Sequence, residues 1–465
     1  MDHLPLVAQI LLIGILGLIL FQEAVNGFHD VANAITTVIY ANAMQPVPAV
    51  LLAAVCNFFG VIVGGTAVAF SLIYLLPANM IAGIDSVHEI ALFLALILSA
   101  LLWNFGTWWF AIPNSTTHAY IGAILGACMA NAYVMNLPVL AEINWGTAEK
   151  VLTALILSPL IGFVLGYALL IGIRKLKKAP LNTPDTHQEE SLKATERAIL
   201  IAGSAGVGLL HGSNDGQKSI GLIMLVLFGL FPALFGLDPG KLSHRDMGQL
   251  EQVLSDVRVI AMDLSYAKLE QESDQLLNKI ERQPDADASQ NLVLSAGRIS
   301  REDLFGLYAQ VRSVVKNPEA RAKLSATNGD KLTQANAYLA GLVERVPIWV
   351  VLLAAVVLGT GTLIGYKRIV TTLGEKMGSA RMGVAQGTAV QVSTVASIAM
   401  ADFGGLPVST THVLTSAVVG TVSGTPDHKV NRQTIKHIML TWVTTMPATL
   451  LLSFGLGVLF YRLAG

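Results

Sequence analysis

Apolar positions run in long, nearly unbroken stretches over most of this 465-residue chain. A helix needs about 20 apolar residues to cross a bilayer. Val47 to Leu76, Glu89 to Ala111, Val151 to Ile173, Arg197 to Gly236, Val346 to Tyr366, Arg381 to Ala401 and Ile435 to Leu463 all meet that length. With Leu4 to Met44 and the shorter apolar runs after Pro113 and Pro407, they predict about ten to twelve helical segments. No stretch alternates with a strand period, so a membrane barrel is excluded. The pattern predicts an all-α polytopic membrane protein.

Polar positions interrupt the pattern at places that recur. Pro113, Ser115, Thr116, Thr117 and His118 return as Pro407, Ser409, Thr410, Thr411 and His412, at an offset of 294. Asn26-Gly27-Phe28-His29-Asp30 is echoed more loosely by His211-Gly212-Ser213-Asn214-Asp215, at an offset of 185. The two offsets differ by 109, close to the 108 residues from Leu237 to Glu344, a strongly charged segment. Two homologous halves account for both offsets. Residues 1–173 are then a first transmembrane repeat, 174–196 a linker, and 197–465 a second repeat interrupted by a hydrophilic helical insertion at 237–345.

Composition agrees, with 53% hydrophobic and 13% charged residues against about 25% charged in soluble domains. Residues 240–345 hold 29 of the 61 charges, with both signs interspersed. Within them Leu250, Val253, Leu254, Val257, Leu269, Leu276 and Ile280 keep helical spacing, which predicts a solvated helical lobe. The first 149 residues contain no Lys or Arg, which excludes nucleic-acid binding there and a secretory signal peptide at Leu4 to Phe21. Cys56 and Cys128 give neither a disulfide framework nor a zinc spacing.

Short basic loops stay in the cytoplasm. Arg174, Lys175, Lys177, Lys178, Lys193 and Arg197 therefore make the linker cytoplasmic. In the second half Lys367, Arg368, Lys376 and Arg381 form one basic loop and Lys429, Arg432 and Lys436 another, whereas the matching first-half loops at 77–88 and 131–149 have no basic residue before Lys150. Equivalent loops on opposite sides indicate inverted-topology repeats with broken helices and re-entrant segments. Both termini and the insertion are then expected outside the cytoplasm.

Candidate chemistry follows from the polar positions. Asn26, Asp30, Asn33 and Thr37 fall on one helical stripe, with Glu23 and His29 beside it, and His211, Asp215 and Lys218 are their counterparts. An ionisable side chain at the bilayer centre costs about 2.5 to 3.5 kcal/mol and marks a partner or a watery cavity. Gly27 and Gly212 precede the acids, where a break in the helix would free carbonyls for a cation. Each Pro-x-Ser-Thr-Thr segment carries a helix-start signal, and free N–H groups with hydroxyls at a helix N-terminus make an anion site. Two copies enclose an oxyanion near the midplane, with Lys218 to offset its charge. His118 and His412 bond substrate, carry a proton or satisfy a neighbouring carbonyl. Pro159 and Pro447 read as kinks, and Asn104, Gln391, Ser393 and Thr394 as further polar groups at membrane depth.

Gly27-Phe28-His29-Asp30-Val31-Ala32-Asn33-Ala34, Gly212-Ser213-Asn214-Asp215 and the paired Pro-x-Ser-Thr-Thr-His segments resemble the signatures of the PiT family of inorganic phosphate transporters, closest to its bacterial low-affinity Pit branch. The resemblance implies a homodimeric secondary transporter of phosphate in the cell inner membrane, with a coupling cation and no cofactor or resident metal. By position it implies that Ser115, Thr116, Thr117, Ser409, Thr410 and Thr411 bind phosphate and that Asp30, Asn33, Asn214 and Asp215 form the coupling-cation site, beside Asn26 and His29. Two departures stand out. His29 replaces the Asn of many relatives, and Lys218 stands where an amide would mirror Asn33. Both replace a potential sodium ligand, so the expected coupling ion is H+, with Na+ as the alternative, and the resemblance to the bacterial branch implies that a divalent metal can travel with the phosphate as a neutral complex. Glu23, His118, His211 and His412 are candidate members of a proton relay.

Three other functions compete. A sulfate carrier shares the architecture, but a carboxylate near the anion favours phosphate, which keeps a proton at neutral pH. An intramembrane hydrolase built on Ser115 or Ser409 lacks an orienting third group and an oxyanion hole. A passive channel would want a continuous hydrated pore in place of two broken segments.

Overall fold

In a computed structural model, residues 6–77, 80, 87–176, 192–230, 244–279, 301–367, 369–370, 382–425 and 432–464 are described. Among them every regular element is a helix. They divide into two compact units, one comprising Leu6–Leu76, Ser86–Met224 and Val346–Gly465, the other built mainly from Leu225–Arg345.

The first half runs α1 (Leu6–Tyr40), α2 (Pro46–Val63), α3 (Ala67–Ile73), α4 (Val87–Trp109), α5 (Thr116–Val134) and α6 (Trp145–Leu176). After α7 (Ala194–Leu230) the chain enters the charged segment, and then returns as α13 (Ile348–Thr362), α14 (Val384–Phe403), α15 (Thr410–Ser423) and α16 (Arg432–Ala464). Among the described residues six helices are long and apolar enough to cross a membrane: α1, α2, α4, α6, α14 and α16. The expected span at Arg197 to Gly236 is a helix over Ala194–Leu230 but is not among the six, because His211, Asn214, Asp215, Gln217 and Lys218 lie across its middle. Residues 231–236 lie outside the described residues. The stretch Val47 to Leu76 is also not one span: it turns at Gly65, whose φ of 75° is open to glycine, and restarts as α3. Ile156, Leu160 and Val164 on α6, with Val443 and Leu451 on α16, are exposed, an apolar exterior suited to lipid.

No helix breaks at Gly27 or Gly212. The 35 residues of α1 and the 37 of α7 are continuous. The reason is packing. A Cβ on Gly27 would lie 2.6 Å from the Leu358 carbonyl oxygen of α13, and one on Gly361 would lie 2.5 Å from the Ala24 carbonyl oxygen of α1. The same device joins α7 to α2, where a Cβ on Gly212 would lie 2.2 Å from the Asn57 carbonyl oxygen. The glycines bring helix backbones into contact, so the helices stay intact and their polar stripes face inward. The real interruptions lie between α4 and α5, where Ala111 has a φ of 56°, and between α14 and α15, at Gly405 with a φ of 61°.

Helices of one half pack on those of the other: α16 lies on α4 and α5, α6 on α14 and α15, and α13 on α1 and α2. Pro159 and Pro447 sit inside α6 and α16.

The other unit contains α8 (His244–Leu264), α9 (Ala267–Lys279), α10 (Arg301–Lys316), α11 (Pro318–Ala322) and α12 (Ala326–Val343). Leu250, Leu254, Val257, Leu269 and Leu276 are buried at the predicted spacing and join Leu307, Val311, Leu332 and Leu339 in an apolar interior. Val253 is only partly buried, and Ile280 lies outside the described residues. Lys331 pairs with Asp256 at 2.9 Å and Arg258 with Asp274 at 2.6 Å on the surface.

Candidate functional site

The site is assembled from four segments. α1 and α7 contribute the acid-bearing stripes, and the starts of α5 and α15 contribute the hydroxyls. Ser115 and Ser409 are extended N-cap residues whose side chains accept from the backbone N–H of His118 and His412, each at 3.1 Å. This fixes the first turn and leaves the N–H groups of the two threonines that follow without intrahelical acceptors.

Those turns converge on the acids. Thr116 donates to Asp215 Oδ2 at 3.2 Å and to Asp30 Oδ2 at 3.4 Å. Thr411 donates to Asp30 Oδ1 at 2.9 Å. Asn33 donates to Thr411 Oγ1 at 3.0 Å and to Thr410 Oγ1 at 3.4 Å. Lys218 lies 2.8 Å from Asp215 Oδ1 and donates to Thr117 Oγ1 at 2.5 Å, while Thr117 donates to the Val408 carbonyl at 2.8 Å. Hydrogen bonds therefore join both duplicated motifs, and the side chains named here are at most 2% exposed.

Asp30, His211 and Asp215 form the electrostatic centre. Their ligand atoms all lie within 4.8 Å of one another, close enough to hold one cation. His211 Nε2 is 3.8 Å from Asp30 Oδ2 and 3.7 Å from Asp215 Oδ2, and its Nδ1 is 3.0 Å from Asn57 Oδ1. Asn57 in turn donates to Thr362 at 2.9 Å. His29 Nδ1 lies 3.0 Å from Asp30 Oδ1. Two carboxylates against one lysine leave a net negative centre, which accepts a cation or protons before it accepts an oxyanion.

Some candidates stand apart. Asn214 turns away from the acids, donating to Asp402 Oδ1 at 2.6 Å and the Leu406 carbonyl at 3.2 Å and accepting from the Val408 N–H at 3.3 Å. It braces the segment leading into α15. Ser115 and Ser409 cap helices, and Ser115 Oγ also lies 2.7 Å from His118 Nδ1. The His118 and His412 rings meet at a tilt with centroids 4.3 Å apart, and His412 stacks on Trp442 at 3.9 Å. Glu23 accepts from Ser219, and Asn26 has no side-chain partner among the described residues. Thr37 accepts from Gln391 at 2.7 Å. Asn104, Asn114 and Thr445 form a small network that anchors the entry to α5, through bonds of 2.8 and 2.7 Å.

Sequence reasoning missed Asn57, Thr362 and Asp402. Asn57 is a lone polar residue in an apolar run, and that is the one signal that marks it. Asp402 looks like a helix-end acid until Ser213 and Asn214, both donating to it at 2.6 Å, reveal its role.

Comparison with known proteins gives a consistent picture. The model of the PHO4 phosphate transporter family matches residues 26–453. The low-affinity inorganic phosphate transporter PitB of Escherichia coli (strain K12) is 35% identical, over 97% of both chains. PitA of the same strain is 34% identical over the same shares. A probable low-affinity inorganic phosphate transporter of Bacillus subtilis (strain 168) is 28% identical over 91% of this chain and 90% of its own. A solved structure titled "The sodium-dependent phosphate transporter" shares the fold with a TM-score of 0.55 at 18% identity, covering 97% of this chain and 98% of its own.

Proposed function

Because the chain belongs to the PHO4 phosphate transporter family, we propose that it is a proton-coupled symporter that carries inorganic phosphate as a neutral complex with a divalent metal ion. It works by alternating access around the buried site, as a homodimer of inverted repeats in the cell inner membrane. The observation that carries this reading is the convergence of two hydroxyl-bearing helix starts, one from each half, on a single pair of carboxylates.

The geometry supports it in steps. The threonines at the starts of α5 and α15 supply hydroxyls and backbone N–H groups, which suit a tetrahedral anion. Phosphate next to Asp30 and Asp215 would be repelled if it came alone. A divalent metal among Asp30, His211 and Asp215 brings the opposite charge with it, and Lys218 stays paired to Asp215. His29 and His211 lie 3.0 and 3.8 Å from Asp30, so groups that can exchange protons surround the acid. His29 and Lys218 replace groups that would ligate sodium, which favours H+ over Na+. The positive linker and the apolar exterior fit a cytoplasmic connection between two membrane-embedded halves.

The test is uptake of radiolabelled phosphate into proteoliposomes, with a divalent metal present or chelated and with sulfate as competitor. Phosphate uptake is expected to need the metal, to carry it in step with phosphate, to resist sulfate, and to disappear in Asp30→Asn. Metal-independent uptake would remove the complex from the reading, and equal inhibition by sulfate would remove phosphate selectivity.

A further inference from the structure

Two turns before Asp30 on α1 lies a second buried polar cluster that the phosphate site does not use. Gln22, Glu23, Asn26 and Tyr120 are each 0% exposed. Ser219 of α7 donates to Glu23 Oε2, and the Tyr120 hydroxyl of α5 faces Gln22, Ser219 and Glu23. Yet Glu23 Oε1, both amide atoms of Gln22, both amide atoms of Asn26 and the Tyr120 hydroxyl have no hydrogen-bond partner of ordinary geometry among the described residues. Protein interiors answer nearly all such groups, so this concentration sets the cluster apart as a place suited to a proton or a small polar ligand.

The donor and acceptor inventory indicates which guest. An ionised Glu23 Oε1 only accepts, whereas a protonated one donates; the unanswered amide oxygens of Gln22 and Asn26 accept and their amide nitrogens and the Tyr120 hydroxyl donate, so the cluster can answer Glu23 in either charge state. Asp30 is the opposite case: His29 and Thr411 lie on its Oδ1 and Thr116 on its Oδ2, so its carboxylate is engaged by the groups of the phosphate site. We propose that Glu23 is the group that holds the transported proton, in a pocket separate from the phosphate site. Loading breaks one O–H bond of a hydronium ion on one side, leaves water there and forms one O–H bond on the Glu23 carboxylate; unloading reverses the exchange with water on the opposite side, with no change of oxidation state. Asn26 lies one turn from both Glu23 and Asp30 on α1, between this pocket and the phosphate site. The inference rests on the proton-coupled reading and names the residue behind it.

The surroundings are sparing in charge. α7 faces Glu23 with His211, Asp215 and Lys218, and α5 with Tyr120. α13 has no charged residue, α2 has no titratable group except Cys56, and α4 has only His88 and Glu89, both in its first turn. Glu23 thus responds to the charge state of the phosphate site through α7, as a coupling group must.

Glu23→Gln in proteoliposomes tests this with two assays: phosphate exchange at equal pH on both sides, and net accumulation under an imposed pH gradient. Exchange is expected within about twofold of the unmodified protein, while gradient-driven accumulation falls by about tenfold or more and loses its pH dependence. Gradient-driven accumulation that survives in Glu23→Gln overturns the proposal. If Glu23→Gln loses exchange as well, Glu23→Asp decides, because a retained carboxylate predicts proton-driven uptake with a displaced pH profile and an unchanged profile contradicts it. If the unmodified protein ignores the pH gradient, the proton-coupled reading itself fails, which is a different outcome.

Discussion

Asp30 and Asp215 occupy the same position in two similar motifs but have different neighbours. Asp30 meets His29, Thr116 and Thr411, while Asp215 is paired to Lys218 and shares Thr116. Removing one partner of a buried pair leaves the other uncompensated, so Asp215→Asn strands Lys218. That variant is expected to lose phosphate uptake and to unfold at lower temperature, whereas Asp30→Asn loses uptake with a smaller drop in thermal midpoint. Thr411→Val removes a hydroxyl bonded to a charged oxygen, worth about 1.5 to 3 kcal/mol, and is expected to cut uptake by about tenfold or more. Thr411→Ser restores most of it, and wild-type uptake by Thr411→Val would remove Thr411 from the site. At this scale much of the site was legible in the sequence, because an Asp or Lys in an apolar helix has few reasons to be there. Asn57 and Asp402 were not, because their role depends on which helix crosses theirs, and no local pattern encodes that. Asn214 shows the reverse: its place in the motif suggested a cation ligand, and its bonds to Asp402 and Leu406 make it a brace in this structure.

At the scale of elements, α4 and α16 begin and end within three residues of the expected stretches, while α6 begins six residues before its own. The two expected helix breaks that did not occur share one physical cause. A glycine beside an acid signals either a break or a close crossing, and only the partner backbone distinguishes them. Gly27 and Gly212 proved to be crossings. Gly27→Leu and Gly212→Leu would force backbones apart where no space remains, an overpacking cost of typically about 1 to 3 kcal/mol. Both are expected to lower the thermal midpoint in detergent, measured by tryptophan fluorescence, whereas Gly17→Leu, where nothing lies within 4 Å of an added Cβ, is expected to leave it unchanged. Equal behaviour of all three would contradict the crossing account.

At the scale of the whole molecule, charge is partitioned. The unit built from Leu225–Arg345 has its own apolar interior and surface ion pairs, and the residues named in the site above all belong to the other unit. Replacing residues 244–343 by a short polar linker is accordingly expected to preserve phosphate exchange in proteoliposomes, and loss of exchange in a folded variant would give that unit a part in transport. The duplicated motifs were readable from offsets alone, but their convergence on one pair of carboxylates was not, since it depends on helices of each half packing on the other. The proton-coupled account then stands or falls on gradients. The most direct measurement is accumulation of radiolabelled phosphate in proteoliposomes under separately imposed proton and sodium gradients. Accumulation that follows the inward proton gradient in sodium-free buffer is the predicted result, and accumulation that follows only the sodium gradient would contradict it.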